Sequence, residues 1–352
     1  MTATGTFTRE AIASVDRAGQ LNDILSMPDQ LRDAVWRVES SNLEPRDSPG
    51  GLVVAGMGGS AIGGALARAA LADRASRPIV LVRGYGLPVW TTPDTTVLCS
   101  SYSGNTEETL GVYEAAGALG ARRIVATTGG KLAAAARAES VPVIPLPGGF
   151  QPRSAVAYSL VVALEVASLC GAGEGLRAEI DVASAHASRL VSEWGPDGPD
   201  DALPKQLARG LHGTVPLIAG AELTAAIAYR WKTQINENAK TPCFSNELPE
   251  LDHNEIAGWA GARELGRFTA VFLDDCDLHP RIRQRIELTR GLIEAEAEGT
   301  YRVESIGGNG IERLVSLVLL GDLVSLYLAV LRGVDPTPVL MLERVKSALA
   351  HG

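Results

Sequence analysis

Short, almost continuously apolar segments separated by helical stretches constrain the fold of this 352-residue chain more than any other feature. In the first half these segments are Gly51–Gly56, Pro78–Val82, Thr96–Ser100, Arg123–Thr127 and Val141–Pro145. Strands that are apolar on both faces are covered on both faces, which is typical of parallel sheets. Helical stretches such as Ala61–Ala72 and Thr106–Leu119 lie between them. The alternation predicts a doubly wound α/β fold with right-handed crossovers.

The second half of the chain repeats the pattern of the first. Val53–Ser60, a strand that runs into a glycine turn and a helix, is echoed by Leu217–Thr224. Thr95–Ser101 is matched in the same way by Thr269–Asp275. A repeat of this kind indicates two similar units, each with a parallel sheet flanked by helices.

Composition shifts suggest where those units begin and end. We expect an N-terminal helical segment over 1–48, in which Ser26 caps a helix that carries Pro28 and Asp29 in its first turn. A first unit over 49–193 precedes a Pro/Gly/Asp-rich linker, 194–201. The second unit, 202–352, includes a C-terminal helix.

Charge and cysteine usage exclude several classes of protein. The net charge of −9 argues against nucleic acid as a partner, because there is no basic stripe to displace counterions. No apolar run approaches the roughly 20 residues that span a bilayer, and the first twenty residues lack a signal-peptide core. Four scattered cysteines favour reduced thiols. We therefore expect a cytoplasmic protein with no membrane association.

A glycine-rich segment, Gly56–Gly64, follows the first predicted strand and opens a helix. Glycines allow the backbone to approach a ligand closely, and a helix N-terminus offers oriented N–H donors. A dinucleotide site is disfavoured because the next strand ends in Arg83 and Gly84 without the expected acid. A glycine turn that serves packing alone is the remaining alternative.

A hydroxyl-rich loop follows the third predicted strand and precedes a helix. Ser101, Ser103 and Thr106 lie around Gly104, and such hydroxyls together with free amides form a phosphate cradle without a cation. Asn105, with Glu108 three residues on, is predicted to cap the helix. The alternative, a well-capped helix start alone, gives the serines no role.

A polar cluster at a helix end supplies the candidate acid–base groups. Apolar residues at helical spacing predict a helix from Leu223 that ends near Asn236–Asn238. Glu237 is the candidate carboxylate base, and His253 in the following loop is a candidate proton shuttle. The alternative for Glu237 is a solvated charge at a helix end, and the alternative for His253 is an ordinary loop histidine. Histidine and cysteine spacing favours no zinc site, and we expect no metal or other cofactor.

Two cationic residues complete the candidates. Arg153 follows a Gly-Gly-Phe-Gln-Pro segment and opens a helix, where its guanidinium is suited to an anion or a developing oxyanion. The alternative, a surface arginine at a helix start, opposes the helix dipole. Lys346 lies in the last helix, and by spacing alone it is a solvated lysine.

Taken together, these motifs resemble the bifunctional phosphoglucose/phosphomannose isomerases of the sugar isomerase (SIS) domain superfamily. The resemblance extends from about Leu31 to the C-terminus and rests most specifically on two elements. It is carried by Gly56–Gly64, Ser101–Thr109, Gln151–Ser154, Asn236–Lys240, Pro249–Glu255 and Asp335–Val339 with Lys346. The specific elements are Asn236–Lys240 and Pro249–Glu255, whereas many SIS proteins share the glycine loop.

The resemblance implies a function and a role for each candidate. It implies metal-independent interconversion of glucose 6-phosphate, and of mannose 6-phosphate, with fructose 6-phosphate through a cis-enediolate. Glu237 would move the proton between C2 and C1, and Arg153 would stabilise the intermediate. His253, from the other subunit of a homodimer, and Lys346 would assist ring opening. Gly58, Gly59 and Ser60 would border the sugar, and Ser101, Ser103 and Thr106 would hold the phosphate.

Two other functions remain open from the sequence. SIS folds also serve as sugar-phosphate sensors that bind without turnover, although the first ~45 residues are too short and too acidic for a DNA-binding domain. The second of these functions is isomerisation of another phosphosugar, including an amino sugar. An ammonia-channelling synthase is disfavoured because no glutaminase nucleophile is present at the N-terminus.

Overall fold

A computed structural model describes residues 7–350 of the chain, except for the side chains of Glu343, Lys346 and Ala350. In chain order its α-helices, α1 to α14, are Arg9–Val15, Gln20–Leu25, Met27–Ser40, Gly58–Ala70, Glu107–Leu119, Gly130–Ala138, Val156–Leu169, Arg177–Trp194, Leu203–Leu211, Leu223–Asn238, Ala262–Leu265, Pro280–Ile293, Gly310–Arg332 and Leu340–Ala350. Its strands, β1 to β9, are Leu52–Ala55, Ile79–Val82, Thr96–Ser100, Arg122–Thr127, Val143–Pro145, Val215–Gly220, Phe244–Glu247, Phe268–Asp274 and Gly299–Glu304. Short 3₁₀ helices cover Pro152–Ala155, Glu250–His253 and Glu255–Gly261.

The strands form two parallel sheets with the same internal order. The first sheet runs β2-β1-β3-β4-β5 and the second runs β7-β6-β8-β9. In both, the second strand of the unit lies outside the first, and the third and fourth follow on the other side. This order confirms the predicted doubly wound α/β fold with two similar units flanked by helices.

Predicted and observed strands differ by one or two residues at their ends. The largest shift is in β5, which begins at Val143 instead of Val141. Pro142 has no N–H for the sheet and contributes only its carbonyl oxygen, which accepts from Val125. The N–H of Val141 instead donates to Ala136 at the end of α6. The proline therefore delays the start of the strand.

Two predicted helix caps are wrong. The hydroxyl of Ser26 donates backwards to the carbonyl of Asp23 and leaves the start of α3 without a side-chain cap. The side-chain oxygen of Asn105 accepts from the N–H of Lys131 on another loop, and Thr106 occupies the N-cap position of α5. In both cases a competing hydrogen bond takes the capping group.

One hydrophobic core joins the two units. Its central helices are α7 and α13, and it includes residues from Phe7 to Val330. The segment Pro152–Leu169, made of a 3₁₀ helix and α7, and the helix α13 are each long and apolar enough to cross a membrane, which corrects the expectation that no apolar run has that length. The share of their apolar windows buried inside the protein is 83% for Pro152–Leu169 and 94% for α13, as in core helices of soluble proteins.

The N-terminal helices and the linker are attached to this core. α3 packs against α7 and α8, and α1 and α2 contact α13. The linker is held by Lys205 of α9, whose ammonium group donates to the carbonyls of Pro196 and Gly198, and by the hydroxyl of Tyr327, which donates to the carbonyl of Trp194. The boundaries at 1–48, 49–193 and 202–352 stay predictions.

The cysteines are free thiols. Cys99, Cys170 and Cys243 are buried and Cys276 is exposed, in keeping with the predicted reduced state. Burial raises the pKa of Cys99 and of Cys243 to about 12. These two thiols therefore stay protonated and unreactive at neutral pH.

Candidate active site

A cavity of about 100 Å³ lies between the glycine turn after β1 and one face of α10. Both units contribute to it, because the turn belongs to the first and the helix to the second. Its walls are formed by Met57, Gly58, Gly59, Ala61, Ile62, Arg83, Arg153, Tyr229, Arg230, Thr233, Gln234 and Glu237. Two predicted site groups, the Arg153 guanidinium and the Glu237 carboxylate, therefore share one cavity.

Arg153 is buried with only 5% of its surface exposed, which excludes a surface arginine. Its Nε donates to the side-chain oxygen of Asn238 at 2.7 Å. Its Nη2 donates to Gln20 Oε1 at 3.1 Å and to the carbonyls of Pro336 and Thr337 at 2.9 and 3.1 Å. All four acceptors are neutral, so none of them cancels the charge of the guanidinium.

Glu237 stands at the end of α10 with 29% of its side chain exposed. Its Oε2 is 3.6 Å from Nη1 of Arg153, the guanidinium nitrogen that faces the cavity. Burial lowers the pKa of Arg153 below its usual value, and the charge of Glu237 opposes that effect. The predicted helix end at Asn236–Asn238 is confirmed, and it places a carboxylate beside a cation on one wall.

A buried ion pair, Arg230 with Asp322, packs behind the wall that carries Arg153 and Glu237. Arg230 donates to both carboxylate oxygens of Asp322, at 3.0 and 2.7 Å, and its Nη2 also donates to the carbonyl of Arg153. Gln234 donates to the same carboxylate at 3.0 Å. The pair joins α10 to α13 and holds the backbone of Arg153 against both.

In the glycine-rich segment Gly56–Gly64, some glycines allow helices to pack and others allow the backbone to lie close to Arg153. A Cβ on Gly63 would lie 2.2 Å from the hydroxyl of Ser159, so this glycine lets α4 pack against α7. A Cβ on Gly59 would lie 2.6 Å from the carbonyl oxygen of Pro152 and 3.2 Å from Cα of Arg153. Gly58 has a positive φ of 51° and open space where a side chain would be. Ser60 is buried next to this turn but does not line the cavity.

The hydroxyl loop lies at the neighbouring strand end. β1 pairs with β3, so the turns that follow them meet at the carboxyl edge of the sheet, where α/β proteins bind ligands. The hydroxyls of Ser101 and Thr106 are 2.8 Å apart. The Ser103 hydroxyl accepts from the N–H of Asn105 at 3.3 Å. Ser101, Ser103 and Thr106 form a compact loop that does not line the cavity.

Helices α4 and α5 both begin without a side-chain cap. Their first backbone N–H groups are therefore free to bind a phosphate. In the second unit, α12 is the counterpart of α5, and its first turn is capped by the side chain of His279. Among helices that follow strands, only the first unit thus pairs open helix starts with a hydroxyl loop within residues 7–350.

The second unit carries acids where the first carries hydroxyls. Asp275 occupies the position that corresponds to Ser101, and it forms a possible metal-ligand group with Cys276 and Asp277. Arg313 donates to both carboxylates, at 2.9 Å to Asp275. Because a cation already neutralises these acids, we assign no metal to them.

Of the two groups predicted to assist ring opening, His253 does not line the cavity among the described residues. His253 ends an exposed 3₁₀ helix, and within residues 7–350 its imidazole has no hydrogen-bond or ion-pair partner. The neighbouring Asp252 is fixed to α12 through Arg285 and Thr289. Lys346 lies on α14, and its side chain is outside the described residues.

Sequence reasoning missed several residues of this site. Gln20 comes from the N-terminal helical segment, 133 positions from Arg153. Arg83 and Tyr229 line the cavity from opposite units, with the Arg83 guanidinium carbon 5.0 Å from the Tyr229 ring centre. Thr233 lines it one turn before Glu237. Only Thr233 had a usable signal, namely its i, i+4 spacing from the carboxylate.

Comparison with known proteins agrees with the fold. Residues 200–349 match the bacterial phospho-glucose isomerase C-terminal SIS domain. A structure of a hypothetical protein from Thermus thermophilus superposes with a TM-score of 0.73 at 17% identity, covering 98% of this chain and 93% of that one. At this identity the likeness shows the fold alone.

Two curated relatives are more similar in sequence, and both are named bifunctional phosphoglucose/phosphomannose isomerase. The protein from Caldicellulosiruptor bescii is 40% identical over 93% of this chain and 98% of its own length. The protein from Aquifex aeolicus is 35% identical over 89% and 94%. These lengths and identities confirm the resemblance predicted from the motifs. The chain belongs to the bifunctional phosphoglucose/phosphomannose isomerase family.

Proposed function

We propose that this chain interconverts glucose 6-phosphate and mannose 6-phosphate with fructose 6-phosphate by proton transfer through a cis-enediolate. The observation that carries the proposal is the pairing of Glu237 Oε2 with Arg153 Nη1, 3.6 Å apart on the wall of one cavity. A carboxylate beside a cation that is held by neutral acceptors is suited to remove a proton next to a carbonyl and to stabilise the resulting oxyanion.

The phosphate end of the sugar binds to the first unit. Ser101, Ser103 and Thr106 hold it at the open start of α5, while Gly58, Gly59 and Ser60 border the carbon skeleton. Dianionic phosphate accepts from hydroxyl and backbone N–H groups without a cation. This anchoring places C1 and C2 in the cavity.

Proton transfer then takes place at the wall formed by α10. Glu237 removes the proton from C2 of the open-chain aldose and returns it at C1, while the hydroxyl proton on O2 passes to the neighbouring O1, which gives the ketose. The electron pair of the broken C–H bond moves towards the carbonyl, and Arg153 Nη1 stabilises the negative charge that forms on oxygen. Because Glu237 is the single base and lies on one wall, use of both epimeric aldoses requires the enediolate to turn, by rotation about the C2–C3 bond, so that either face of C2 meets the same carboxylate.

The functional unit is a homodimer with a shared site. His253 is exposed and remote from the cavity of its own protomer, which supports a role at the cavity of its partner. There His253, with Lys346 on α14, assists opening of the sugar ring. We place the enzyme in the cytoplasm, where reduced thiols and phosphorylated sugars coexist.

An assay of three sugars tests the reaction and its dependence on metal. The purified chain is offered fructose 6-phosphate, mannose 6-phosphate and glucosamine 6-phosphate, with and without EDTA. We expect turnover of the first two that EDTA does not change, and a loss of kcat of about 10²–10⁴-fold in Glu237→Gln. Saturable binding with no turnover would indicate a sensor, and preference for the amino sugar would identify another phosphosugar isomerase.

Mixed dimers test the shared site. Glu237→Gln and His253→Ala proteins are each inactive or slow, but a heterodimer has one site with both native side chains. Random reassociation is expected to restore about a quarter of native activity, because half of the dimers are mixed and each has one intact site. Activity that stays at the sum of the two variants contradicts a site shared in this way.

A further inference from the structure

Gln20 closes a ring of hydrogen bonds around Arg153. Its Oε1 accepts from Arg153 Nη2 at 3.1 Å, and its Nε2 donates to Asn238 Oδ1 at 2.8 Å. Arg153 Nε donates to the same Asn238 oxygen at 2.7 Å. All three residues are buried, with 1% of Gln20 and none of Asn238 exposed. The ring therefore links the N-terminal segment to both units.

Chemistry fixes the orientation of both amides in this ring. Guanidinium nitrogens only donate, so Gln20 and Asn238 must each turn an oxygen towards Arg153. The remaining N–H groups then point to acceptors, Gln20 Nε2 to Asn238 and Asn238 Nδ2 to the hydroxyl of Ser325 at 2.9 Å. Neither amide can rotate without leaving a buried donor facing a donor.

The backbone of Gln20, at the start of α2, is held in place by the carboxylate of Asp16. The carboxylate of Asp16, itself 5% exposed, accepts from the backbone N–H groups of Gln20 and Leu21 at 2.9 and 2.8 Å. Gly19 makes the turn before the helix with a φ of 75°. The Asp16 carboxylate thus binds backbone N–H groups, and the neutral side-chain amide of Gln20 contacts the Arg153 guanidinium.

The acceptors around Arg153 leave one nitrogen for the cavity. Nε and Nη2 are engaged by amide and peptide oxygens, and Nη1 faces Glu237. We propose that Gln20 is a positioning residue that aims Nη1 of Arg153 at the reacting oxygen and preserves its charge. This inference rests on the proposed function, since it assigns Gln20 to the step in which Arg153 stabilises the enediolate.

Two variants of Gln20 and one inhibitor test the assignment. Gln20→Leu removes both hydrogen bonds, and Gln20→Glu keeps the shape but sets a carboxylate against Arg153. We measure kcat, KM and the affinity for a five-carbon aldonate phosphate, whose carboxylate resembles the enediolate. A displacement of about 1 Å costs up to 10²-fold, so we expect kcat and inhibitor affinity to fall about 10- to 100-fold with KM nearly unchanged. The glutamate variant is expected to lose more.

Gln30→Leu is the matched control. Gln30 is also a buried glutamine, 2% exposed, and it holds the same helix by donating to Asp23 and Ser26 without touching Arg153. We expect it to lower the urea midpoint as Gln20→Leu does while kcat stays native. Should Gln20→Leu fail to fold, Gln20→Glu, which fills the same volume, carries the comparison.

The outcomes separate this inference from the proposed function. Native kcat and inhibitor affinity in both Gln20 variants, or equal losses of kcat in the Gln20 and Gln30 variants, would overturn the positioning role. Arg153→Met is assayed in parallel. Full activity in that variant would remove Arg153 from the reaction and contradict the proposed function itself, whatever the Gln20 variants show.

Discussion

At the scale of single residues, Arg153 and Lys240 are two half-buried or buried cations at the end of α10 that share one acceptor. Arg153 is fixed by side-chain and backbone oxygens and points one nitrogen into the cavity. Lys240 lies just beyond α10, where its ammonium group donates to the carbonyls of Glu237 and Pro336. Pro336 thus accepts from both cations. Arginine keeps its proton under such burial, whereas the pKa of a lysine falls towards neutral pH.

Lys240 is expected to make stability depend on pH. Burial, with the positive charge of Arg153, lowers the pKa of Lys240 from 10.5 to about 8. Between these values the unfolded chain holds the proton that the folded chain has released, so the free energy of unfolding rises with pH. Below pH 8 the folded protein bears the cost of the buried charge.

The measurement is urea unfolding of the native protein and of Lys240→Met across this range. We expect the native protein to gain stability relative to the variant as the pH rises from about 8 to 10.5. Taking the difference between the two proteins removes contributions from other titrating groups. A difference that is constant with pH would show that Lys240 has an ordinary pKa in the folded state.

Local motifs in the sequence mark some of the residues that line the cavity and leave others unmarked. Arg153 and Glu237 stand in short polar segments at helix ends, and both line the cavity as expected from their neighbours. Gln20 and Asp322 have no such mark, because their roles arise from contacts across 133 and 92 positions of chain. A buried amide or acid of this kind is visible only when the folded chain brings its partner to it.

At the scale of elements, the two units differ in how their helices begin. α4 and α5 start without side-chain caps beside a hydroxyl loop. α13 starts with a capping box made by Asn309 and Glu312, and α12 is capped by His279. Open helix starts attract anions, and capped ones do not. In the second unit α10 also starts without a side-chain cap, so the hydroxyl loop beside the open starts is what distinguishes the first unit, in keeping with the proposed phosphate site there.

Gly59 is expected to control the position of Arg153 through backbone contact. Gly59→Ala places a methyl group 2.6 Å from the carbonyl oxygen of Pro152, so the 3₁₀ helix that carries Arg153 must move. We expect kcat to fall about 10- to 100-fold, the range for small misplacements of catalytic groups. Gly148→Ala, on an exposed loop with no atom within 4 Å, is the control and should stay native. Equal kcat values for the two variants would contradict this contact.

Strand positions were predictable because continuous apolar runs have few alternatives in a long α/β chain. Helix starts were less predictable, since Ser26 and Asn105 each found a different partner from the cap expected. A hydroxyl or amide near a helix start can bond to several nearby backbone groups. Which bond forms depends on neighbouring loops that sequence periodicity does not describe.

At the scale of the whole molecule, α10 and α13 tie the cavity to the core. A Cβ on Gly321 would lie 2.2 Å from Nε1 of Trp231, so the two helices are in close contact. The Arg230–Asp322 pair lies in the same contact with both side chains almost fully buried. Burial raises the pKa of Asp322, and the Arg230 charge opposes that effect. With the hydrogen bonds of Gln234 to Asp322 and of Asn238 to Ser325, the pair forms a buried polar strip between the two helices.

Loss of one partner of this pair should destabilise the whole chain. Asp322→Ala leaves the guanidinium of Arg230 buried without a counter-charge, at a cost of about 3–5 kcal/mol in the free energy of unfolding. The double variant Arg230→Met with Asp322→Leu removes both charges and is expected to recover most of that loss. Urea denaturation measures both. Equal stabilities of the single and double variants would show that the charge itself is not the cause.

The central claim is that a carboxylate of the second unit moves a proton on a sugar anchored by the first. Its most direct test is solvent exchange, followed by proton NMR of fructose 6-phosphate incubated with the enzyme in D₂O. The native protein and Glu247→Gln, an exposed acid on β7, should introduce deuterium at C2 of the aldose and C1 of the ketose. Glu237→Gln should introduce none on the same timescale. Exchange at the native rate in Glu237→Gln would contradict the account.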